Sequence, residues 1–468
     1  MSRPKKNQEV ELQIEKFADR GKSLGRLDGY VVMVNGAVPG DRVRVRIGRR
    51  KKKYADGWLQ EVLEPSPLRT DPRCSYFGSC GGCKWQHVQY EAQLEAKQQS
   101  VKEALARVGG FADVEVPPTL GADPIYYYRN KMEFSFSAAR WLTPAEIASG
   151  AEYDTSFALG LHAPGNFSKV IDLDACYLQS ELSASIVNAV RDLAKEEEWK
   201  PWDIRAHEGY LRHLVIRQAG QTDHLMVNLV TNGYDEARIE RITRLFQESF
   251  PAITTLVNTI HTGKGQTAIG EEIVVVYGPG VIYDRIGPFT FEIAPDAFFQ
   301  TNTRQAEQLY NVALDFAGLT GEEHVYDLYC GAGTISLFLA QHARHVVGLE
   351  LVPSAVSNAI ANAAANKVTN CSFVAGDMLK LLTPELVRSV GRPDVLVTDP
   401  PRAGMHPKVV AQLAELKPGR LVYVSCNPQT QARDLGLLAE HYTIERVQPV
   451  DLFPHTHHIE NVVLLKLK

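Results

Sequence analysis

Short apolar segments alternate with helical patterns in the C-terminal part of this chain, from about residue 290. The segments are VYDLY (325–329), VVGLE (346–350), SFVAGD (372–377), DVLVTDPP (394–401), RLVYVSCNP (420–428) and ENVVLLKL (460–467). Strands that alternate with helices in this way are typical of a parallel, doubly wound α/β sheet. Because such sheets bind ligands at the carboxyl ends of their strands, functional residues are expected where these segments end.

Glycines and carboxylates follow the first four segments. The first leads into Gly331-Ala332-Gly333, a short glycine motif that a structural turn would explain equally well. Glu350 lies 19 residues after Gly331, where a carboxylate can bind both hydroxyls of a ribose. Asp377 and Asp399 end the third and fourth segments. The motif is shorter than the G-x-G-x-x-G of pyrophosphate binding, so this part of the chain resembles a Rossmann-like S-adenosylmethionine methyltransferase rather than a dehydrogenase.

A cysteine and a carboxylate complete this edge of the predicted sheet. Cys426 ends the fifth segment at a strand-breaking Asn-Pro, although a cysteine in such a position is more often only part of a core. A thiolate there is chemically useful if the substrate is uracil, whose carbon 5 accepts a methyl group only after a nucleophile adds to carbon 6. Carbon 5 must then lose its proton to a general base. Glu460, just before the last segment, is the candidate base.

Positive charge is concentrated at the N-terminus. Residues 1–53 contain 15 Lys+Arg and six Asp+Glu, whereas the whole chain has a net charge of -5. Several alternating apolar runs between residues 10 and 63 predict a small β-barrel of the oligonucleotide-binding type. In one run Arg42, Arg44 and Arg46 alternate with apolar residues and are expected to face solvent. A basic barrel on an acidic body indicates a nucleic-acid partner, and a solvated charged face is the alternative.

The middle of the chain mixes short strands, turns and helices and predicts an α+β domain. Cys74, Cys80 and Cys83 have the spacing of a metal site, and Cys176 supplies a fourth thiol. Zinc and iron–sulfur clusters both accept four thiolates, so the spacing leaves the metal open, and unrelated surface thiols are the alternative. An aromatic run leads into the segment YRNK (128–131). Aromatic residues beside basic ones suit contacts with RNA phosphate and unstacked bases, and a surface strand explains them equally.

Five motifs occur together and in order. They are FFQTN (298–302), DLYCGAG (327–333), DPPRAG (399–404), SCNP (425–428) and HIENVVLL (458–465). With the basic barrel, they make essentially the whole chain resemble the RNA uracil-5 methyltransferases, most closely the type that acts on 23S ribosomal RNA. The resemblance implies a TRAM domain that binds RNA, Cys426 as nucleophile and Glu460 as base.

The resemblance also implies two cofactors. S-adenosylmethionine would be bound by Gln300, Tyr329, Thr334, Glu350, Asp377 and Asp399. A [4Fe-4S] cluster would be held by Cys74, Cys80, Cys83 and Cys176. Transfer RNA is the alternative substrate. A non-catalytic RNA-binding assembly factor is the alternative class of protein, and the intact set of Cys426, Glu460, Glu350 and Asp399 argues against it.

The expected domains are a barrel (1–64), a central α+β domain (65–290) and a Rossmann-like methyltransferase domain (291–468). A helix over 90–108 is expected to pack on the last of these. The chain shows no signal peptide and no apolar run of about 18 residues, so a cytoplasmic protein without a membrane partner is expected. No obligate protein partner is evident from the sequence.

Overall fold

The computed structural model describes residues 3–166 and 168–468, and its N-terminal part is a closed five-stranded β-barrel. The strands are β1 (Glu9–Phe17), β2 (Ser23–Leu27), β3 (Tyr30–Val34), β4 (Arg42–Arg50) and β5 (Tyr54–Glu64), in the order β1-β2-β3-β5-β4. Alternate apolar residues such as Val32, Val43 and Val45 fill the interior, so the predicted barrel is confirmed. The strand β2 was not predicted, because SLGRL lacks an alternating apolar pattern.

The arginines on β4 do not all face free solvent. Arg42 donates to Glu64 at 2.7 Å and to Glu11 at 2.9 Å, and Arg44 donates to Glu61 at 2.5 Å. These ion pairs between strands neutralise part of the charge that the sequence placed on this face. The other basic residues on and just after β4 are exposed, namely Arg46, Arg49, Arg50 and Lys51–Lys53.

The central part is a seven-stranded mixed sheet covered by helices. Its strands are β6 (Lys131–Ser137), β7 (Ala158–His162), β8 (Val170–Asp172), β9 (Leu211–Gln218), β10 (Leu225–Thr231), β11 (Thr255–Ile260) and β12 (Glu272–Tyr277). Its helices are α2 (Pro144–Ser149), α3 (Glu181–Glu196) and α4 (Glu236–Ser249). The preceding helix, α1 (Tyr90–Ala104), packs instead on the C-terminal part. The strand order is β12-β11-β10-β9-β6-β7-β8. Ile186 of α3 and Phe246 of α4 belong to the same buried cluster as the apolar residues of this sheet.

The C-terminal part begins with the hairpin β13 (Ile282–Ile286) and β14 (Phe289–Ile293) and continues as an α/β sheet. Its strands are β15 (His324–Leu328), β16 (His345–Glu350), β17 (Cys371–Ala375), β18 (Val395–Thr398), β19 (Arg420–Ser425), β20 (Tyr442–Val450) and β21 (Glu460–Leu467). Its helices are α5 (Thr303–Ala317), α6 (Thr334–Ala340), α7 (Pro353–Ala365), α8 (Met378–Leu381), α9 (Pro384–Val390), α10 (Pro407–Leu416) and α11 (Pro428–Leu438). The domain boundary expected at residue 290 falls inside β14, whose Phe291 packs in the core of this sheet.

This sheet has the order β17-β16-β15-β18-β19-β21-β20. Its first five strands are parallel, as expected, whereas β21 runs antiparallel to both β19 and β20. The strand β20 was not predicted, because charged residues and a proline interrupt YTIERVQPV. Val325 on β15 packs with α5 and α6 on one face. Tyr326, also on β15, packs with α1, α10 and α11 on the other, so both faces are covered.

A buried ion pair ties α1 to the loop that precedes β21. Lys97 Nζ on α1 donates to Asp451 Oδ1 at 2.6 Å and to the carbonyl oxygen of Phe453 at 3.1 Å. The side chains of Lys97 and Asp451 are both fully buried. The second oxygen of Asp451 accepts a hydrogen bond from the Tyr90 hydroxyl at 3.0 Å. Burial lowers the pKa of Lys97, and the Asp451 carboxylate opposes that shift.

No helix in the described ranges 3–166 and 168–468 has both the length and the apolar character needed to cross a membrane.

Replacing Lys97 by methionine is expected to lower the free energy of unfolding by about 3–5 kcal/mol, because Asp451 would remain buried without its counter-charge. Chemical denaturation measures this change. The matched control is Lys16→Met, which removes a partly exposed ion pair with Glu103 on the same helix. That control should cost less than about 1 kcal/mol. Equal losses of unfolding free energy in the two variants would contradict a stabilising role for the buried pair of Lys97 and Asp451.

Candidate active site

The order of the C-terminal sheet reverses at β15, where β16 lies on one side and β18 on the other. Crevices that bind ligands form at such reversals, outside the carboxyl ends of the strands. Asp327 lies near the end of β15, Glu350 ends β16, and Asp399 directly follows β18. The sheet therefore brings to one edge three carboxylates that are far apart in the sequence.

Antiparallel pairing adds Cys426 and Glu460 to the same edge. Cys426 follows the last residue of β19, and Glu460 is the first residue of β21. Because the two strands run in opposite directions, with Ser425 paired to Asn461, the end of β19 meets the start of β21. The predicted nucleophile and the predicted base are therefore neighbours in the fold.

The loop after β15 leaves space for a ligand. Tyr329 and Gly331 have φ values of 63° and 56°, which turn the backbone sharply. A Cβ atom added to Gly331 would meet no atom within 4 Å. Glu350 holds this loop, since its Oε2 accepts from the Gly331 amide at 3.1 Å and its Oε1 from the Val352 amide at 2.9 Å. Each carboxylate oxygen keeps a lone pair that a ligand hydroxyl can use.

Tyr310 on α5 lies between Thr334 and Gln300, two of the predicted cofactor-binding residues. Its fully buried hydroxyl lies 3.1 Å from Thr334 Oγ1, and the Gln300 side chain also reaches it. The Gln300 carbonyl oxygen accepts from Asn130 Nδ2 at 2.7 Å, so the central sheet holds the segment that carries Gln300. Neither Tyr310 nor Asn130 was predicted, because a tyrosine in a helical pattern and a strand-edge asparagine have no distinctive sequence signal.

Three buried carboxyl groups face one another at the edge of the sheet. Burial raises the pKa of Asp327 to about 7, and the charges of Asp399 and Glu350 add to the effect. Burial likewise raises the pKa of Asp399 to about 7. The pKa of Glu460 lies well above its usual range because of burial and of the Asp399 charge. Asp327 Oδ2 accepts from Ser336 Oγ at 2.6 Å, whereas its buried Oδ1 has no partner. Such a group of acids favours a positively charged ligand, which would offset the cost of ionising them.

Cys426 is half-buried beside these acids. Burial and the charges of Glu460 and Asp399 raise the pKa of its thiol to about 11, and the Arg402 guanidinium opposes that shift. The Arg402 carbonyl oxygen accepts from Asn427 Nδ2 at 3.0 Å, which fixes the turn around the cysteine. Arg402 lies in the DPPRAG motif, but no role was predicted for it. A thiolate is stabilised by a neighbouring positive charge, and Arg402 supplies one beside Cys426.

The histidines at 455, 457 and 458 line this edge but form no metal site. Burial lowers the pKa of His455 and of His457 to about 4 and that of His458 to about 3, so all three are neutral near pH 7. His458 Nδ1 lies 3.4 Å from Arg402 Nη1. Within the described part of the chain, no three His, Cys, Asp or Glu side chains are arranged to hold a metal ion.

Asp377 lies at the rim of this edge. Its side chain is exposed, and Oδ1 accepts from the Leu379 amide at 3.0 Å as the N-cap of α8. Its charge contributes to the raised pKa of Tyr329, which shows that the two side chains are near each other. The second oxygen of Asp377 remains available to a ligand.

The four predicted ligand cysteines line one cavity. Cys74, Cys80, Cys83 and Cys176 surround it together with Tyr76 and Leu161. Burial raises the pKa of Cys80 to about 12 and that of Cys83 to about 11, and the charges of neighbouring cysteines add to both shifts. Cys330, Cys371 and Cys426 lie in the C-terminal α/β part and do not line this cavity.

Replacing Asp399 by asparagine is expected to stabilise the protein more at about pH 8 than at about pH 5. The folded-state pKa of Asp399, about 7, lies above that of an unfolded aspartate. Its contribution to stability is therefore present at acidic pH and is lost as the pH rises through 7. Thermal unfolding at both pH values measures the difference between variant and wild type. The control is Asp377→Asn, an exposed carboxylate, for which this difference should stay constant. A constant difference for Asp399→Asn would contradict the prediction.

Two family descriptions match this chain. The description tRNA (Uracil-5-)-methyltransferase matches residues 282–468, and the TRAM domain matches residues 3–59. The chain is 45% identical over 455 residues to an uncharacterized RNA methyltransferase of Bacteroides thetaiotaomicron, covering 97% of this chain and 100% of that protein. It is also 45% identical over 466 residues to an uncharacterized RNA methyltransferase of Chlorobaculum tepidum, covering 98% of this chain and 96% of that protein.

A solved structure has the same architecture throughout. The Pyrococcus abyssi tRNA (uracil-54, C5)-methyltransferase, determined in complex with S-adenosyl-L-homocysteine, superposes with a TM-score of 0.76 at 29% identity. The match covers 97% of this chain and 100% of that one. The crevice and the neighbouring Cys426 and Glu460 fit the methyltransferase activity that the names of these relatives give. The chain belongs to the RNA uracil-5 methyltransferase family and is an S-adenosylmethionine-dependent enzyme with an N-terminal TRAM domain.

Proposed function

We propose that this enzyme methylates carbon 5 of a uridine in 23S ribosomal RNA through a covalent bond between Cys426 and carbon 6. The observation that carries the proposal is the meeting of Cys426 and Glu460 where β19 and β21 pair, beside the buried Asp399. A nucleophile and a base at one edge of the cofactor crevice are what this chemistry requires. The domains we assign are a barrel that binds RNA (1–64), a central domain (65–290) and a catalytic domain (291–468), acting in the cytoplasm.

The residues of the crevice fit S-adenosylmethionine, which carries a positively charged sulfonium and an ammonium group. Glu350 would bind the ribose hydroxyls, and the open space above Gly331 admits the nucleoside. Tyr329 and Asp377 would contact the adenine side. Gln300, Thr334 and Asp399 would contact the amino-acid and methyl-bearing side, where the unpartnered oxygen of Asp327 also lies. When bound, this cofactor supplies an electrophilic methyl group.

Cys426 would activate the uracil ring, and Glu460 would remove the proton from carbon 5. The Cys426 thiol would lose its proton to water, and the resulting thiolate sulfur would form a bond to carbon 6 while the electrons of the 5,6 double bond move to oxygen 4 as an enolate. Carbon 5 is then nucleophilic and accepts the methyl group. Glu460 removes the proton from carbon 5, and elimination restores the double bond and releases Cys426 as a thiolate. The charge of Arg402 lowers the pKa of Cys426. Arg402 would therefore favour the thiolate both when it attacks carbon 6 and when it is released.

We assign a [4Fe-4S] cluster to the four-cysteine cavity. All four thiols line this one cavity. A cubane is wider than an ion and is held by four cysteine thiolates. Cys74, Cys80, Cys83 and Cys176 would hold it, and by joining residues 74–83 to residue 176 it would stabilise the fold.

Transfer RNA is the second candidate substrate. It is favoured by the shared architecture of the Pyrococcus abyssi tRNA (uracil-54, C5)-methyltransferase, which matches 97% of this chain. The proposal of 23S ribosomal RNA rests on the combination of the TRAM barrel with the four-cysteine cavity.

Mapping of 5-methyluridine in a strain that lacks this gene tests the substrate. We expect one or more 5-methyluridines to disappear from 23S ribosomal RNA while those of transfer RNA remain. The gene for the wild type should restore them, and the gene for Cys426→Ala should not. Loss from transfer RNA alone would establish the second candidate, and unchanged levels in both RNAs would refute both.

Two substitutions are expected to stop the reaction at different points. Cys426→Ala should form neither adduct nor product, because the ring is never activated. Glu460→Gln should transfer the methyl group and then stall, because an amide cannot accept the proton. Denaturing gels should show methyl-labelled RNA attached to Glu460→Gln, and 5-fluorouridine RNA should trap the wild type similarly. Wild-type turnover by Glu460→Gln would show that another residue is the base.

Anaerobically purified protein is expected to be brown and to contain about four irons per chain, as one cubane requires. Elemental analysis measures iron and zinc. Cys80→Ala should lose the iron, whereas Cys371→Ala, a cysteine of β17 outside the cavity, should keep it. Stoichiometric zinc without iron in the wild type would refute the cluster.

A further inference from the structure

An arginine and three tyrosines form a partly exposed aromatic surface between the four-cysteine cavity and the active-site edge. The guanidinium of Arg73 lies over the rings of Tyr177, Tyr127 and Tyr126 at 4.5, 5.0 and 5.4 Å from their centres. Arg73 is exposed, and the three rings are partly exposed. We call Arg73, Tyr126, Tyr127 and Tyr177 the tyrosine platform.

The platform is continuous with the catalytic edge. The Tyr126 ring stacks on the His455 ring, with centres 4.3 Å apart and planes at 28°. His455 begins the segment that ends at His458, which contacts Arg402 beside the nucleophile. Three residues of chain span at most about 11 Å, so the platform lies close to the catalytic edge.

The chemistry of the platform suits single-stranded RNA. The hydrogen bond from Arg73 Nη2 goes to the neutral phenol of Tyr127 at 3.0 Å, so it leaves the guanidinium charge available to a phosphate. The Tyr127 hydroxyl donates to Glu181 at 3.1 Å, which orients the ring. Tyrosine faces and arginine planes both stack on unpaired bases without requiring a particular sequence.

The backbone of the platform also departs from what a simple packing role requires. Tyr127 has a φ of 56°, a left-handed conformation that is uncommon for a bulky residue. Its amide donates to the Tyr177 carbonyl oxygen at 2.8 Å, which holds the two rings side by side. Strained residues of this kind persist mainly where a functional surface requires them.

We propose that the tyrosine platform stacks on unpaired nucleotides that flank the target uridine and so holds the RNA while the target enters the active site. This inference rests on the proposed function only in assuming that RNA is the substrate. It assigns to Arg73 and the three tyrosines a binding role separate from catalysis and from the barrel.

The test is the binding of a fluorescent oligouridylate of 12 nucleotides to the full-length protein. Tyr127→Leu should weaken binding by roughly 5- to 150-fold, the range of base–aromatic stacking, whereas Tyr127→Phe keeps the ring and should change it little. The matched control is Tyr234→Leu, at an exposed tyrosine outside the platform. Unchanged S-adenosylmethionine affinity and thermal stability show that each variant is folded.

Photocrosslinking provides a second measurement that needs no variant. The same oligonucleotide with 4-thiouridine should crosslink to a peptide that contains Tyr126, Tyr127 or Tyr177. Binding by folded Tyr127→Leu at the wild-type level, or crosslinks that all fall outside these peptides, would overturn the platform. Neither measurement needs methyl transfer. An enzyme that methylates no uridine but shows these effects would refute the proposed function alone.

Discussion

The buried ion pair between Lys97 and Asp451 connects parts of the molecule that are more than 350 residues apart in sequence. It joins α1, which follows the cysteine-rich segment, to the loop that leads into the strand carrying Glu460. Asp451 also accepts from Tyr90, and Lys97 donates to the carbonyl oxygen of Phe453. Two charges removed from water hold each other in one geometry, because any other arrangement leaves one of them buried alone. The position of Glu460, the predicted base, therefore depends on a helix far upstream.

The active-site edge is arranged at a cost to stability. Asp327, Asp399 and Glu460 are buried close together, and burial and their mutual charges raise their pKa values, so ionising them is unfavourable without a nearby positive charge. A cationic cofactor changes that balance, since its positive charge stabilises the ionised acids. The same acids raise the pKa of Cys426, and Arg402 opposes them. The raised pKa therefore favours the thiol form of Cys426 near pH 7.

Three surfaces of the protein suit RNA in different ways. The exposed arginines and lysines of the barrel provide charge that is not specific for sequence. The turn around Gly21 in the barrel approaches His457, so the barrel stands directly beside the catalytic edge. The tyrosine platform offers rings on which bases can stack. A strand of RNA that touches all three would pass over the crevice beside Cys426.

Much of this protein could be predicted from local sequence, because barrel strands and Rossmann strands each carry their own apolar pattern and their own terminal residues. Cys426 and Glu350 were predicted as candidate site residues because each stands where a predicted strand ends. The strand β20 was missed because an edge strand tolerates charges and a proline. Tertiary structure alone decided that β21 runs antiparallel to β19, which places Glu460 beside Cys426. It also decided the partners of Arg402, Tyr310 and Lys97, because a side chain's neighbours across the fold leave no periodic signal in the chain.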